Sequence, residues 1–236
     1  MAHPLDGAVL RFNRAERHLA EADELIRVWA KGCVEAIVRD NNNNLRFEGW
    51  PTIPEMLPLA VSDATHNMRA ALDYLIYELA LKDSGKVQHG TQFLIEDVKV
   101  DPANKNRGFD ARSKKCLVGL SQPHIDAIEA LQPYNGVDWT KSLRDISNPD
   151  KHKRLCVLSK DGRPIGVRMI DSPIGRFDRL NVTPQGPTIE RFDVEVDGSD
   201  TIAIAPPNPG KPSLMRTLRS IQTELCATLE TFKSEF

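Results

Sequence analysis

Three long segments of the chain carry apolar residues at alternating three- and four-residue steps. The pattern is strongest in 55–82 and recurs in 5–30 and 213–235. Such spacing predicts amphipathic helices, and helices that each bury one stripe close most simply as a bundle. The predicted stripes are Phe12, Ala15, Leu19, Ala22, Ile26 and Trp29; Leu57, Val61, Ala64, Met68, Leu72, Leu75 and Leu79; and Leu214, Leu218, Ile221, Leu225, Leu229 and Phe232.

The segment 121–147 carries two shorter helical patterns. Ser121 is predicted to cap the first helix, and Pro133 to end it. The second helix is predicted from about 137 to 147, and we expect a break or a kink at Asn148-Pro149 because a residue before proline avoids helical dihedral angles. Residues 83–119 are predicted to be mostly loop, either as a functional flap or as a partly disordered segment.

Strand-like patterns occupy two stretches between the long helices. In 33–50, two short apolar runs flank a group of asparagines, which predicts a hairpin because Asn tolerates the positive φ angles of tight turns. In 155–205, alternating apolar residues and the turn signal Asp197-Gly198 predict further strands. The sequence therefore predicts an α+β fold in a single domain, 1–236. Its mainly helical bundle core would carry an N-terminal β-hairpin and a small antiparallel β insertion before the last helix.

The composition excludes several classes of protein. Lys and Arg number 31 and Asp and Glu number 33, so the formal net charge is −2, which argues against a surface coated for nucleic acid. Apolar runs fall short of the roughly 18–20 residues that a membrane helix needs, and the N-terminus lacks a signal-peptide pattern. We therefore expect a cytoplasmic protein without a membrane partner. The four Cys form no C-x-x-C pair, and no metal or cofactor is predicted.

A first polar cluster lies at 63–73 on the middle helical segment. Its cation, imidazole and two carboxylates flank the apolar stripe at three- and four-residue steps. The cluster forms either a polar pocket at a helix junction or an ordinary solvated face with local ion pairs. The predicted binding residues in it are His66, Asn67, Arg69 and Asp73.

A second polar cluster lies at 144–154, where the predicted second helix ends and a strand begins. Cations are dense there, and a planar guanidinium or a point-charge ammonium suits phosphate. His152 and Arg144 are the candidate catalytic residues, because a histidine titrates near neutral pH and acts as acid or base. The alternative is a structural network at a proline-broken turn. The predicted binding residues are Asn148, Asp150, Lys151 and Arg154.

Four ordered motifs resemble those of a widespread group of uncharacterised bacterial and phage proteins. They are H-N-M-R-A-A-L-D at 66–73, T-Q-F at 91–93, L-Q-P-Y at 131–134 and I-S-N-P-D-K-H-K at 146–153. That group carries H-N-x-R-x-A-L-D and N-x-D-K-H-R motifs; here Leu94 stands in place of a proline and Lys153 in place of an arginine, with Arg154 next. The resemblance implies that the two polar clusters meet in space.

The order Arg144-Asp145 and then His152 in a helical protein is also remotely similar to the HEPN superfamily of nucleotide-binding proteins and ribonucleases. That similarity implies a helical core in which Arg and His act around phosphate during metal-independent cleavage by the ribose 2′-hydroxyl. In this chain seven residues, including Pro149, separate Arg144 from His152. The family spacing is four to six, all on one helix.

Two functions follow from these patterns. The first is a non-catalytic binding protein with a polar pocket for a phosphate-bearing ligand, either a nucleotide or a short RNA. The alternative is a HEPN-like metal-independent ribonuclease in phage–host conflict. The segments 105–115 and 141–154 hold ten of the 31 cations, so balanced total charge conceals local positive segments. The sequence also leaves open a homodimer that forms through a helix stripe left uncovered in the monomer.

Overall fold

The apolar stripes of the sequence form long helices in a computed structural model of the protein. The structure describes residues 3–35, 37–39, 45–47, 52, 54–152, 165–167, 179–183, 186–191 and 214–236. The helices are α1 (Asp6–Glu35), α2 (Met56–Ser84), α3 (Phe109–Cys116), α4 (Gln122–Ala130), α5 (Asp138–His152) and α6 (Leu214–Lys233). A single 3-10 turn, Pro133–Asn135, joins α4 to α5.

The prediction of a helical core is confirmed by the burial of these stripes. All the predicted stripe residues of α1 and α2 are buried. In α6 the stripe is buried from Leu218 onward, and Met215 is buried at its start in place of Leu214. Removing this apolar surface from water is the main favourable contribution to folding.

Five short strands complete the described elements. The strands β1 (Ile37–Arg39) and β2 (Leu45–Phe47) pair antiparallel, with Val38 opposite Arg46. The strands β3 (Ile165–Val167), β4 (Arg179–Thr183) and β5 (Gly186–Arg191) pair antiparallel in that order. Each strand has three to six residues.

The predicted α+β fold class is wrong, because the long continuous segments of the structure are helical. The segments 3–35, 54–152 and 214–236 contain six helices and no strand, and the short strands lie outside them. The predicted strand beginning at 33 starts inside α1, because a short apolar run does not distinguish a strand from the end of a helix. The predicted Asp197-Gly198 hairpin lies outside the described residues.

Two predicted helix ends are also wrong. Helix α1 continues through Gly32 to Glu35, since a glycine inside a helix costs only about 1 kcal/mol. Helix α5 continues through Pro149 to His152, so the predicted break at Asn148 is absent. Pro149 removes one helical hydrogen bond, the one to the carbonyl oxygen of Asp145, and its effect on the preceding residue is a bias and not a prohibition.

Helix α3 forms inside the segment predicted to be mostly loop. Gly108 precedes it with a φ of 82°, and a Cβ there would lie 2.8 Å from the carbonyl oxygen of Lys99. Glycine fits this left-handed conformation and this close approach. Phe109, which begins the helix, is buried and fixes α3 against the protein interior.

The chain divides into two compact units by its internal contacts, and the predicted single domain stays a prediction. The first unit comprises Met1–His18, Ser62–Arg154 and Leu218–Phe236. Within it, α1 meets α2 where Gly7 faces the ring of Tyr74, and α1 meets α6 where Gln222 donates to Glu16. The predicted site residues all belong to this first unit.

The second unit comprises Leu19–Val61 and Leu155–Thr217. It contains the C-terminal part of α1, the start of α2, the five strands and the first residues of α6. Its described buried residues include Leu19, Ile26 and Leu57.

Candidate functional site

A pair of charged residues on α2 holds the backbone of an extended segment, 93–97, which we call the strap. Arg69 and Asp73 stand one helical turn apart and therefore share a face. The Nη2 of Arg69 donates to the carbonyl oxygen of Phe93 at 3.2 Å. The backbone N–H of Phe93 donates to Oδ1 of Asp73 at 2.9 Å. The two side chains thus bind both backbone polar groups of one buried residue.

Gln132 holds the next part of the strap. Its fully buried amide donates from Nε2 to the carbonyl oxygens of Leu94 and Ile128, at 3.0 and 2.9 Å. Its Oε1 accepts the backbone N–H of Glu96 at 2.9 Å. Both amide hydrogens and the amide oxygen are therefore used, so this buried polar side chain is satisfied.

The side chains at the end of the strap pair with two further arginines. Glu96 forms an ion pair with Arg112 of α3. Asp97 pairs with Arg144 of α5, with 2.9 Å between Oδ2 and Nη1, and Arg144 also binds its neighbour Asp145. The strap thereby connects α2, α3, the end of α4 and α5.

Arg69, Arg112 and Arg144 form what we call the arginine cluster. Burial lowers the pKa of Arg69, the Asp73 charge opposes this effect, and the positive charges of Arg112 and Arg144 lower the pKa further. The three guanidinium groups therefore lie close enough to interact. Arg69 is only 9% exposed, and its buried Nη1 has no hydrogen-bond partner among the described residues.

Arg144 is in a different electrostatic setting from Arg69. Burial acts to lower the pKa of Arg144, but hydrogen bonds to Asp97 and Asp145, together with their negative charges, outweigh that effect and raise it. Its side chain is 19% exposed, whereas that of Asp97 is 57% exposed. Arg144 therefore stays positively charged, and its partner Asp97 is the more solvent-exposed member of the ion pair.

The structure brings some of the predicted site residues together and separates others. Arg69, Asp73 and Arg144 meet around the strap. His66 is exposed on α2, and Asn67 is buried but binds the Asp63 carbonyl oxygen and Arg11 instead. The remaining predicted residues on α5 are described by their backbone alone, without their side chains: Asn148, Asp150, Lys151 and His152. Arg154 lies outside the described residues.

Sequence reasoning missed four residues of this arrangement: Arg112, Gln132, Glu96 and Asp97. Gln132 belongs to the L-Q-P-Y motif, and Arg112 belongs to the basic segment 105–115, so both carried a signal. Glu96 and Asp97 carried none, because two acidic residues in a predicted loop are typical of solvated surface.

A second buried polar cluster, also missed, joins the end of α2 to the start of α4. Oδ2 of Asp83 lies 2.6 Å from Nδ1 of His124 and accepts the backbone N–H of Ser121 at 2.6 Å. The Ser121 hydroxyl also lies at Nδ1, at 3.2 Å, while Nε2 faces Glu235. A nucleophilic triad needs serine and carboxylate at opposite ring nitrogens, so this Ser-His-Asp set is structural.

A shallow groove of about 400 Å³ lies beside α3 and α4, away from these residues. Its apolar floor includes Phe109, Leu117 and Ile125, and Lys99 and Glu129 stand at its rim as an ion pair. It contains none of the predicted site residues, and nothing in its lining selects a particular ligand.

The described residues include no group of three or more His, Cys, Asp or Glu placed to hold a metal ion. Within the same residues, no helix is long and apolar enough to cross a membrane. Comparison with protein families, curated proteins and solved structures found no match for this chain. The function is therefore argued from the site itself.

The Asp83 cluster predicts a specific dependence of stability on pH. Burial acts to raise the pKa of Asp83, but hydrogen bonds from Ser121 and His124 outweigh it and hold the pKa below its usual value. A lowered folded-state pKa stabilises the fold above the unfolded-state value, near 4, and this contribution is lost as the pH falls through the folded-state value. We expect Asp83→Asn to lower the unfolding free energy at pH 7 by about 1–3 kcal/mol.

Denaturant unfolding between pH 7 and pH 3 measures this effect. The difference between wild type and Asp83→Asn should shrink below about pH 4. Asp126→Asn on the exposed face of α4 is the control, and we expect it to change stability little at any pH. A difference between wild type and Asp83→Asn that stays constant down to pH 3 would contradict the assignment.

Proposed function

We propose that the protein is a non-catalytic binding protein that holds a phosphate-bearing ligand, a nucleotide or a short RNA, at the arginine cluster. The supporting observation is that Arg69, Arg112 and Arg144 all bind the strap, and that the buried Nη1 of Arg69 has no acceptor in the described part of the chain. Burying a hydrogen-bond donor without a partner costs free energy, and the cost is larger when the donor is charged. A phosphate oxygen beside Arg144 would supply that acceptor.

The arrangement of Asp97 gives a ligand access to the cluster. Asp97 is more than half exposed, so its carboxylate leaves Arg144 for water with little change in solvation. Arg112 is also substantially exposed, at 41%. A phosphate group that enters from solvent therefore meets charged guanidinium, which binds phosphate through paired, charge-assisted hydrogen bonds.

The carboxylates around the cluster limit the size of the ligand. The four carboxylates of Asp73, Glu96, Asp97 and Asp145 more than offset the three positive charges, so the site projects no broad positive field. A long nucleic-acid surface binds mainly through such a field. The proposed ligand is therefore small or terminal, in keeping with the net charge of −2.

Replacing Arg144 tests the proposal. We expect Arg144→Gln to weaken AMP binding about tenfold or more, because one charge-assisted hydrogen bond is worth about 1.5–3 kcal/mol. Calorimetric titration in a buffer free of phosphate and sulfate measures the dissociation constant. Arg27→Gln is the matched control, since Arg27 is an exposed arginine of α1 that pairs with Glu24 and does not belong to the arginine cluster. Equal affinity of wild type and Arg144→Gln would overturn the proposal.

One observation favours a second candidate, a HEPN-like metal-independent ribonuclease. Because α5 is continuous from Asp138 to His152, Arg144 and His152 belong to one helix. The two residues are eight positions apart, which corresponds to slightly more than two helical turns and about 12 Å along the helix axis. In this candidate Arg144, Lys151 and Arg154 hold phosphate and His152 transfers a proton. A role in phage–host conflict rests on the resemblance alone.

Cleavage of single-stranded RNA in EDTA separates the two candidates. The ribonuclease candidate predicts cleavage that His152→Ala abolishes, while His89→Ala, which removes an exposed histidine from a loop, leaves the rate unchanged. The binding-protein proposal predicts that wild type, His152→Ala and His89→Ala all fail to cleave the RNA. Cleavage by wild type that survives in His152→Ala would contradict the assignment of His152 as the proton-transfer residue.

A further inference from the structure

Two carboxylates share the guanidinium group of Arg144, and they bind different nitrogens of it. Oδ1 of Asp145 accepts from Nε at 3.0 Å and from Nη2 at 2.9 Å. Oδ2 of Asp97 lies 2.9 Å from Nη1. A guanidinium group is planar and its N–H donors have fixed directions. Asp145 therefore occupies one edge of the group, and Asp97 holds the nitrogen that this edge leaves out.

The two contacts have different origins in the chain. Asp145 is the residue after Arg144 on α5, so its contact stays within one helix. Asp97 belongs to the strap and approaches from a different part of the chain. A ligand that displaces Asp97 from Nη1 therefore leaves the Asp145 contact in place, and Arg144 keeps one of its two carboxylates.

The backbone that carries Asp97 is held beside Arg144. The N–H of the preceding residue, Glu96, donates to Oε1 of the fully buried Gln132 at 2.9 Å. When the Asp97 carboxylate turns towards water, rotation of one side chain is therefore enough to return it to Nη1. A group tethered in this way competes at a high effective concentration.

We infer that Asp97 is an internal competitor, which occupies Nη1 of Arg144 when no ligand is bound. The inference rests on the proposed function and adds a regulatory contact to that site. A carboxylate oxygen and a phosphate oxygen are both charged acceptors, so they use the same N–H donors of arginine. Ligand binding at Nη1 then requires the Asp97 contact to be open, and the apparent affinity falls in proportion to the open fraction.

The exposure of Asp97 determines how strongly it competes. Asp97 is 57% exposed. The measured energies of ion pairs between exposed groups correspond to ratios of closed to open contact of about 1.5 to 5. Removal of the competitor should therefore tighten ligand binding by about two- to sixfold. Asp97 thus tunes the affinity of the site and does not block it.

Two substitutions beside the same arginine test the inference. Asp97→Asn removes the competing charge, and we expect AMP to bind about two- to sixfold more tightly, measured by calorimetric titration in a buffer free of phosphate and sulfate. Asp97→Ala, which also removes the acceptor oxygen, should give a gain in the same direction. Thermal unfolding checks that each variant is folded.

Asp145→Asn is the matched control. It removes the same charge from the same guanidinium group, and Asp145 is 53% exposed, close to the value for Asp97. The amide oxygen of the new side chain still accepts from Nε, and Asp97 still occupies Nη1. We therefore expect the affinity for AMP to change less than about twofold, because only a screened charge is lost.

The outcomes separate the inference from the proposed function. A gain with both Asp97 variants and little change in Asp145→Asn supports the internal competitor. An affinity in Asp97→Asn that equals or falls below that of wild type overturns the inference while AMP binding stands. An equal gain in Asp145→Asn also overturns it, since that result reports net charge and not occupancy of Nη1. Absence of AMP binding by wild type and all three variants overturns the proposed function as well.

Discussion

The arrangement around the strap depends on the hydrogen bonds that Arg69 and Asp73 form with the backbone of Phe93. An extended segment that enters a protein interior without a strand partner leaves its N–H and C=O groups without hydrogen bonds. Arg69, Asp73 and Gln132 supply those bonds from α2 and from the turn after α4. Burying a guanidinium and a carboxylate is costly, but each offsets the charge of the other and the backbone uses their hydrogen-bonding groups.

The same hydrogen bonds link the strap to the proposed binding site. Because the backbone at Phe93 and Glu96 is held, the side chains of Glu96 and Asp97 point to a fixed pair of arginines on α3 and α5. Arg69 adds positive charge to this network, and its buried Nη1 has no hydrogen-bond partner in the part of the chain that the structure describes. Residues that stabilise the strap and residues that would contact a ligand are therefore neighbours in one network, and the two roles are compatible.

Sequence reasoning succeeded where a pattern is local and long. The stripe of Leu72, Leu75 and Leu79 extends over many turns, so its period identified α2 and its buried face. It failed for short runs: the stretch from 33 was assigned to a strand, although α1 extends to Glu35. It also failed at Pro149, where the local bias against helix does not end α5. The role of Gln132 was invisible because its partners, Leu94 and Glu96, lie more than thirty positions away.

Amide hydrogen exchange at Phe93 and Glu96 tests the central claim most directly, since these N–H groups donate to Asp73 and Gln132 respectively. If the strap is held as described, both amides exchange as slowly as amides in the middle of α2. In Asp73→Asn, exchange should accelerate at Phe93 far more than at Glu96, because Gln132 still holds the latter. Exchange of both wild-type amides at the rate of an exposed loop residue such as Gly90 would contradict the account.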